Sequence, residues 1–213
     1  TLLGTGGRAE RACDLLQAVT RNVDGIAAGL AADWSGGRID FRRAISRPGA
    51  TNLYYKSHKE AALGFFQSLH DGLQAITDTR VKPVLGATLA AARPRLAEAI
   101  PSRRSARNIA ISLAGLEALY LSEGRNKDTA GFTRLVRSQG HAKLDALMRR
   151  AFKLTLATAR GIGKPLDVAV RDKRLRPRVA KLLLQVRALK QIVRTRLAPA
   201  LGLTVGFNAL DGD

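Results

Sequence analysis

Apolar residues recur at intervals of three and four along most of this chain, the spacing that gathers side chains onto one face of an α-helix. Between Arg8 and Trp34, the positions Ala12, Leu15, Leu16, Val19, Val23, Ile26 and Leu30 form one such stripe, and Ser35-Gly36-Gly37 ends it. Cys13 falls on this apolar side, where a thiol serves as inert core filling rather than as a nucleophile. Residues 35–53 hold Pro48-Gly49 and few periodic apolar positions, so they read as a loop with a short helix around Phe41 to Ile45. A second long helix spans Tyr55 to Thr77, with Ala62, Phe66, Leu69, Leu73 and Ile76 inward. Pro83 and Gly86 interrupt, a short helix covers about Ala87 to Ala92, and Pro94 and Pro101 frame an irregular stretch.

The third long helix opens at Ser102 or Ser105 and runs to about Ser122, burying Ile109, Leu113, Leu116 and Leu119. A short helix around residues 130–138 leads into a fourth long one, whose stripe is Leu144, Leu147, Met148, Phe152 and Leu156 and whose stop is Gly161 to Pro165. From Leu166 to Leu201 a final helical pattern, bent or restarted near Pro177, turns Leu183, Val186, Leu189, Val193 and Leu197 inward. No run alternates as a strand does. The expectation is an all-α bundle of about five long amphipathic helices with short connecting ones, residues 1–213 forming a single helical region.

Composition agrees. The 213 residues are 46% hydrophobic and only 5% aromatic, rich in Ala and Leu, and no stretch approaches the roughly 18 uninterrupted apolar residues of a membrane span. One cysteine excludes an internal disulfide and a cysteine-based metal cluster. The net charge of +19 sits in the second half: residues 93–196 carry 25 Lys and Arg against 7 Asp and Glu. Such a field draws in anionic partners whatever the fold.

The candidate chemistry is sparse. His58, His70 and His141 lack the three or four spacing that presents two imidazoles to one metal, so each reads as solvated or capping. No glycine pattern of a nucleophile elbow occurs. Arg93, Arg103, Arg104 and Arg107 surround Ser102, Ser105 and Asn108 at the start of a helix, a setting in which guanidinium forks and open backbone N–H groups hold carboxylates or phosphates. The plainer reading pairs these arginines with Glu98, Asp211 or Asp213. In the ending Gly206 to Asp213, Asn208 and two carboxylates lie in a glycine turn, suited to a hard cation, a helix N-terminus or an arginine. Both readings place the acidic ending beside the basic helix start. The densest basic run, Arg171, Lys173, Arg174, Arg176, Arg178 and Lys181, lacks interleaved aromatics for base stacking and reads as a solvated face. Trp34 reads as a helix-end aromatic covering core.

The ending Gly-Phe-Asn-Ala-Leu-Asp-Gly-Asp resembles the C-terminal signature of the imelysin-like family of bacterial envelope proteins. Four further segments resemble the family in the same order: Cys13 to Trp34, Asp78 to Gly86, Ala92-Arg93-Pro94 with Glu98, and Ser102 to Ile109. The sequence departs from the family in lacking the G-x-H-x-x-E motif from which the family's metal-dependent activity is inferred, and Leu2-Leu3-Gly4 resembles the end of the segment that carries it. The expectation is therefore the C-terminal part of a longer protein, and the first residue, Thr1, fits a processed product.

The resemblance implies a periplasmic or envelope binding or structural protein linked to iron or metal uptake and forming part of a ligand cleft; the candidate ligand or structural site is Arg93, Glu98, Arg103, Ser105, Asn108, Asn208, Asp211 and Asp213. It implies no cofactor within this chain, iron or another divalent metal being held with the missing N-terminal portion, which is the first expected partner; an anionic ligand or envelope component is the second. A polyanion-binding basic protein is the alternative. A metallopeptidase, as the family's name suggests, ranks last because the metal motif is missing.

Overall fold

The computed structural model describes residues 6–37, 39–122 and 131–203. Every regular element among them is helical. The chain divides into two compact units at Ala62/Leu63.

The first unit holds α1 (Gly6–Trp34) and α2 (Phe41–Ser46). The stripe that the spacing assigns to a core is exposed here: Leu15 and Leu16 are 65% accessible, and Val19, Val23, Ile26 and Leu30 are open too. Cys13 is likewise exposed rather than buried. Periodicity defines a face, but it does not say what covers that face. Trp34 instead meets Phe41 at 6.0 Å between ring centroids, and Phe41 meets Tyr54 at 5.3 Å. Asn52 knits the following loop, its amide nitrogen donating to the carbonyls of Ala44 and Arg47 and its oxygen accepting from the N–H groups of Tyr54 and Tyr55. Ser57 and Glu60 then form a capping pair at the start of α3 (His58–Ala75), within which the boundary between the units falls.

In the second unit α3 continues without a break through a π-helical turn, Ile76–Val81, into α4 (Lys82–Leu85). A second π turn, Val193–Leu197, joins α9 (Arg176–Ile192) to α10 (Ala198–Ala200). Each π turn runs into a proline, Pro83 or Pro199. A proline lacks the N–H that an α-turn requires and its ring displaces the carbonyl four residues back, so a wider turn keeps the chain helical where an α-turn would break. Pro83 therefore does not end the helix; Gly86 does. Residues 87–92 form bends and a turn, not the short helix their composition suggests, because the chain folds back on itself there, Arg93 N–H bonding to the Val84 carbonyl.

A 3-10 turn at Pro94–Leu96 precedes α5 (Ser105–Leu121); α6 (Phe132–Ser138), α7 (Ala142–Arg160) and the short α8 (Leu166–Ala169) follow. The core lies where α7 packs against both α5 and α9, with the π turn that follows α3 against α9. Phe66, Leu69, Leu73, Ile109, Leu113, Met148, Phe152, Val186, Leu189 and Val193 are fully enclosed, as their spacing requires. Phe66 and Phe132 meet edge to face at 6.4 Å. Asp172 fixes the turn that leads into α9 by accepting from the N–H groups of Arg174 and Leu175. Restarting there, with Pro177 in its first turn, α9 needs no N–H from that residue.

Candidate functional site

Two of the segments singled out above, Asp78 to Gly86 and the one ending at Glu98, meet at Arg80. Its π turn swings the guanidinium toward two neighbours: Nη1 donates to Ser112 Oγ of α5 at 2.8 Å, and Nε lies 3.3 Å from Glu98 Oε2. Both charged side chains are about one-third exposed, so the pair joins three segments at a half-open rim rather than inside the core. Asp78, two residues earlier in the same π turn, faces Lys190 of α9 at 3.4 Å. Farther along the chain, Arg176 closes the Gly86 turn, with Nη1 donating to the Leu85 carbonyl at 2.6 Å and Nη2 to the Gly86 carbonyl at 3.0 Å. A planar guanidinium is suited to this role because its parallel N–H groups span two successive carbonyls.

Ser105 begins α5 but does not cap it; Arg104 is the cap residue and contributes no side-chain bond. Fully buried, the Ser105 hydroxyl accepts from the N–H of Leu166 at 2.9 Å and so fastens the start of α8 to the start of α5. Replacing Ser105 by Ala should leave that buried N–H without its acceptor and cost about 1–3 kcal/mol. Urea unfolding of the variant measures it; an unchanged midpoint would show the bond to be dispensable. Asn108 is half-buried on α5, while Arg93 and Arg103 are exposed. Thus the structure joins Glu98 to Arg80, not to the arginines of the helix start, and gives Ser105 to the backbone. Asn208, Asp211 and Asp213 lie outside the described residues, as does the expected docking of the acidic ending.

A buried polar network went unread in the sequence. Asp145, 4% accessible, accepts from Tyr120 Oη at 3.0 Å and Arg149 Nε at 3.1 Å, and closely from Thr133 Oγ1. Arg149 Nη2 also donates to Thr133 Oγ1 at 2.8 Å. Burial pushes the Asp145 carboxyl upward, but the bonds from Thr133, Tyr120 and Arg149 and the charge of Arg149 outweigh it and hold the group below the usual carboxylate range. Burial first, then the charge of Asp145 and the bond to it, push the Tyr120 phenol well above its ordinary range. The signal was present: Asp145 stands three residues before Met148 and seven before Phe152, on the apolar stripe.

His70 is buried, not solvated, with Nδ1 3.1 Å from Asp71 Oδ1, whereas His58 and His141 are exposed. Among the described residues no group of three or more His, Cys, Asp or Glu side chains is placed to hold a metal ion. The basic run is divided in use. Arg176 and Arg178 point to backbone carbonyls, of Leu85 and Gly86 and of Gly161, while Arg171, Lys173, Arg174 and Lys181 are exposed. No described helix is long and apolar enough to cross a membrane.

The family model for imelysin, peptidase M75, matches residues 3–193. No curated protein and no solved structure matches the chain.

Proposed function

We propose that this chain, which belongs to the imelysin family, is a periplasmic or envelope binding protein that contributes one wall of a ligand cleft serving iron or another divalent metal. The observation that supports this reading is the half-open Arg80–Glu98–Ser112 rim, where three separate segments bring polar groups to one place without burying them. The described residues do not fit a metal site on their own, since no three ligating side chains converge. In this reading Glu98 and Arg80 orient what a second wall, bearing a histidine and glutamate motif, holds. Fold membership alone does not supply catalysis, so binding ranks above peptide cleavage.

Cell fractionation, followed by native mass spectrometry with and without chelator, tests the proposal. The expected result is recovery with the envelope, with chelator-removable metal carried only by assemblies that include the second wall. Recovery in the cytosol would overturn the location. Stoichiometric zinc on the isolated chain, with proteolysis abolished by a chelator, would install the peptidase reading instead. Polyanion binding stands second, and it requires affinity that falls steeply with salt.

A further inference from the structure

We propose that the cleft between the start of α5 and the end of α7 binds a phosphate-type oxyanion, either free phosphate or a phosphomonoester on a larger molecule. The cleft measures about 330 Å³ and is lined by Arg103 and Arg107 of the α5 start, Arg160 at the end of α7 and Lys164 in the following loop, over a floor that includes Ala106 and Ala159. Four cations thus surround one concavity, and no carboxylate lines it. Asp167, the nearest acidic residue in sequence, is outside the lining, with its Oδ1 buried. Among the described residues none of the four cations has an ion-pair partner, whereas Arg80, Arg149 and Lys190 each have a carboxylate.

Like charges crowded into a cleft repel one another, and an anion among them removes that repulsion while gaining several charge-assisted bonds. The α5 N-terminus adds to this field, because no side chain caps it and the helix dipole places partial positive charge there. Arg103 takes a left-handed φ of 56° immediately before the cap residue. The loop carrying Lys164 is held from outside by Arg178, which donates to the Gly161 carbonyl. A single carboxylate would neutralise one of the four charges. A phosphate carries up to two and offers three oxygens to the guanidinium forks, so it matches the lining better. The site is separate from the Arg80–Glu98 rim and does not depend on the metal reading.

Isothermal titration of the full chain with orthophosphate and, in a second arm, with a short alkyl phosphomonoester tests the proposal at about 150 mM chloride, where long-range attraction is screened. Saturable binding at one site per chain is expected. Preference for orthophosphate identifies a free anion, and preference for the ester identifies a larger phosphorylated ligand. Arg107→Gln and Arg160→Gln should each weaken binding about tenfold, while Arg174→Gln, an exposed arginine outside the cleft, should not. Absence of saturable binding in both arms, or equal weakening by Arg174→Gln, would overturn the proposal. Binding that emerges only after removal of residues 204–213 would also overturn it, by showing that the acidic ending of the chain is the natural occupant.

Discussion

Replacing Gly86 by Ala should destabilise the second unit by about 3–6 kcal/mol, from backbone strain and steric overlap acting together. Gly86 has φ 62° and ψ 170°, a region in essence reserved for glycine, and a Cβ built there would lie 2.1 Å from the Ala91 carbonyl oxygen. That oxygen belongs to the backbone and cannot swing aside as a side chain would. The turn is also fixed from the other side, since Arg176 holds the Leu85 and Gly86 carbonyls. Gly140 is the natural comparison: its φ is 83° but nothing stands within 4 Å of the added atom. Gly140→Ala should therefore cost only about 1 kcal/mol, the strain without the overlap. Urea unfolding of both variants checks the argument, and equal losses would refute the steric part. Because the Gly86 turn leads directly to Arg93 and Glu98, a surviving Gly86→Ala protein should also show a displaced Arg80–Glu98 pair.

The helices were legible because a periodicity of three and four is a local property, and Phe66, Leu69, Leu73 and Val186 went where it sends them. What covers a helix is not local. Leu15 to Leu30 follow the same rule as Leu183 to Leu197, yet only the second stripe is enclosed. Prolines misled for a physical reason: Pro83 signals a break only if the turn before it is an α-turn, and a π turn removes the clash. At the candidate site the sequence brought out Glu98 and Ser105 but not their partners, because Arg80 and Leu166 are distant along the chain and the pairings depend on packing. The exposed charges at Arg103 and Arg107 were visible from the start, whereas Arg160 and Lys164 join them only through the fold.

Replacing Asp145 by Ala should cost about 2–5 kcal/mol, because it removes the acceptor shared by Tyr120, Thr133 and Arg149 and leaves the buried hydroxyls of Tyr120 and Thr133 without it. Tyr120→Phe removes one donor and leaves the ion pair intact, so its cost should be nearer 1 kcal/mol. The pH dependence separates the charged contribution from packing. The folded Asp145 carboxyl is held below its unfolded value of about 3.9, so its contribution is complete above that value and is lost as the pH falls through the folded value. The gap in stability between the wild type and Asp145→Asn should therefore be widest near neutrality and narrow in strong acid. Tyr120 has the opposite sign. Its folded phenol titrates above its unfolded value of about 10, so its contribution is complete below that value and declines as the pH rises beyond it. Tyr120→Phe should accordingly lessen the alkaline loss of stability and leave the acid limb little changed. Chemical unfolding across the pH range measures both, and a gap between wild type and Asp145→Asn that stays constant into acid would mean that shape, not charge, carries the role of Asp145.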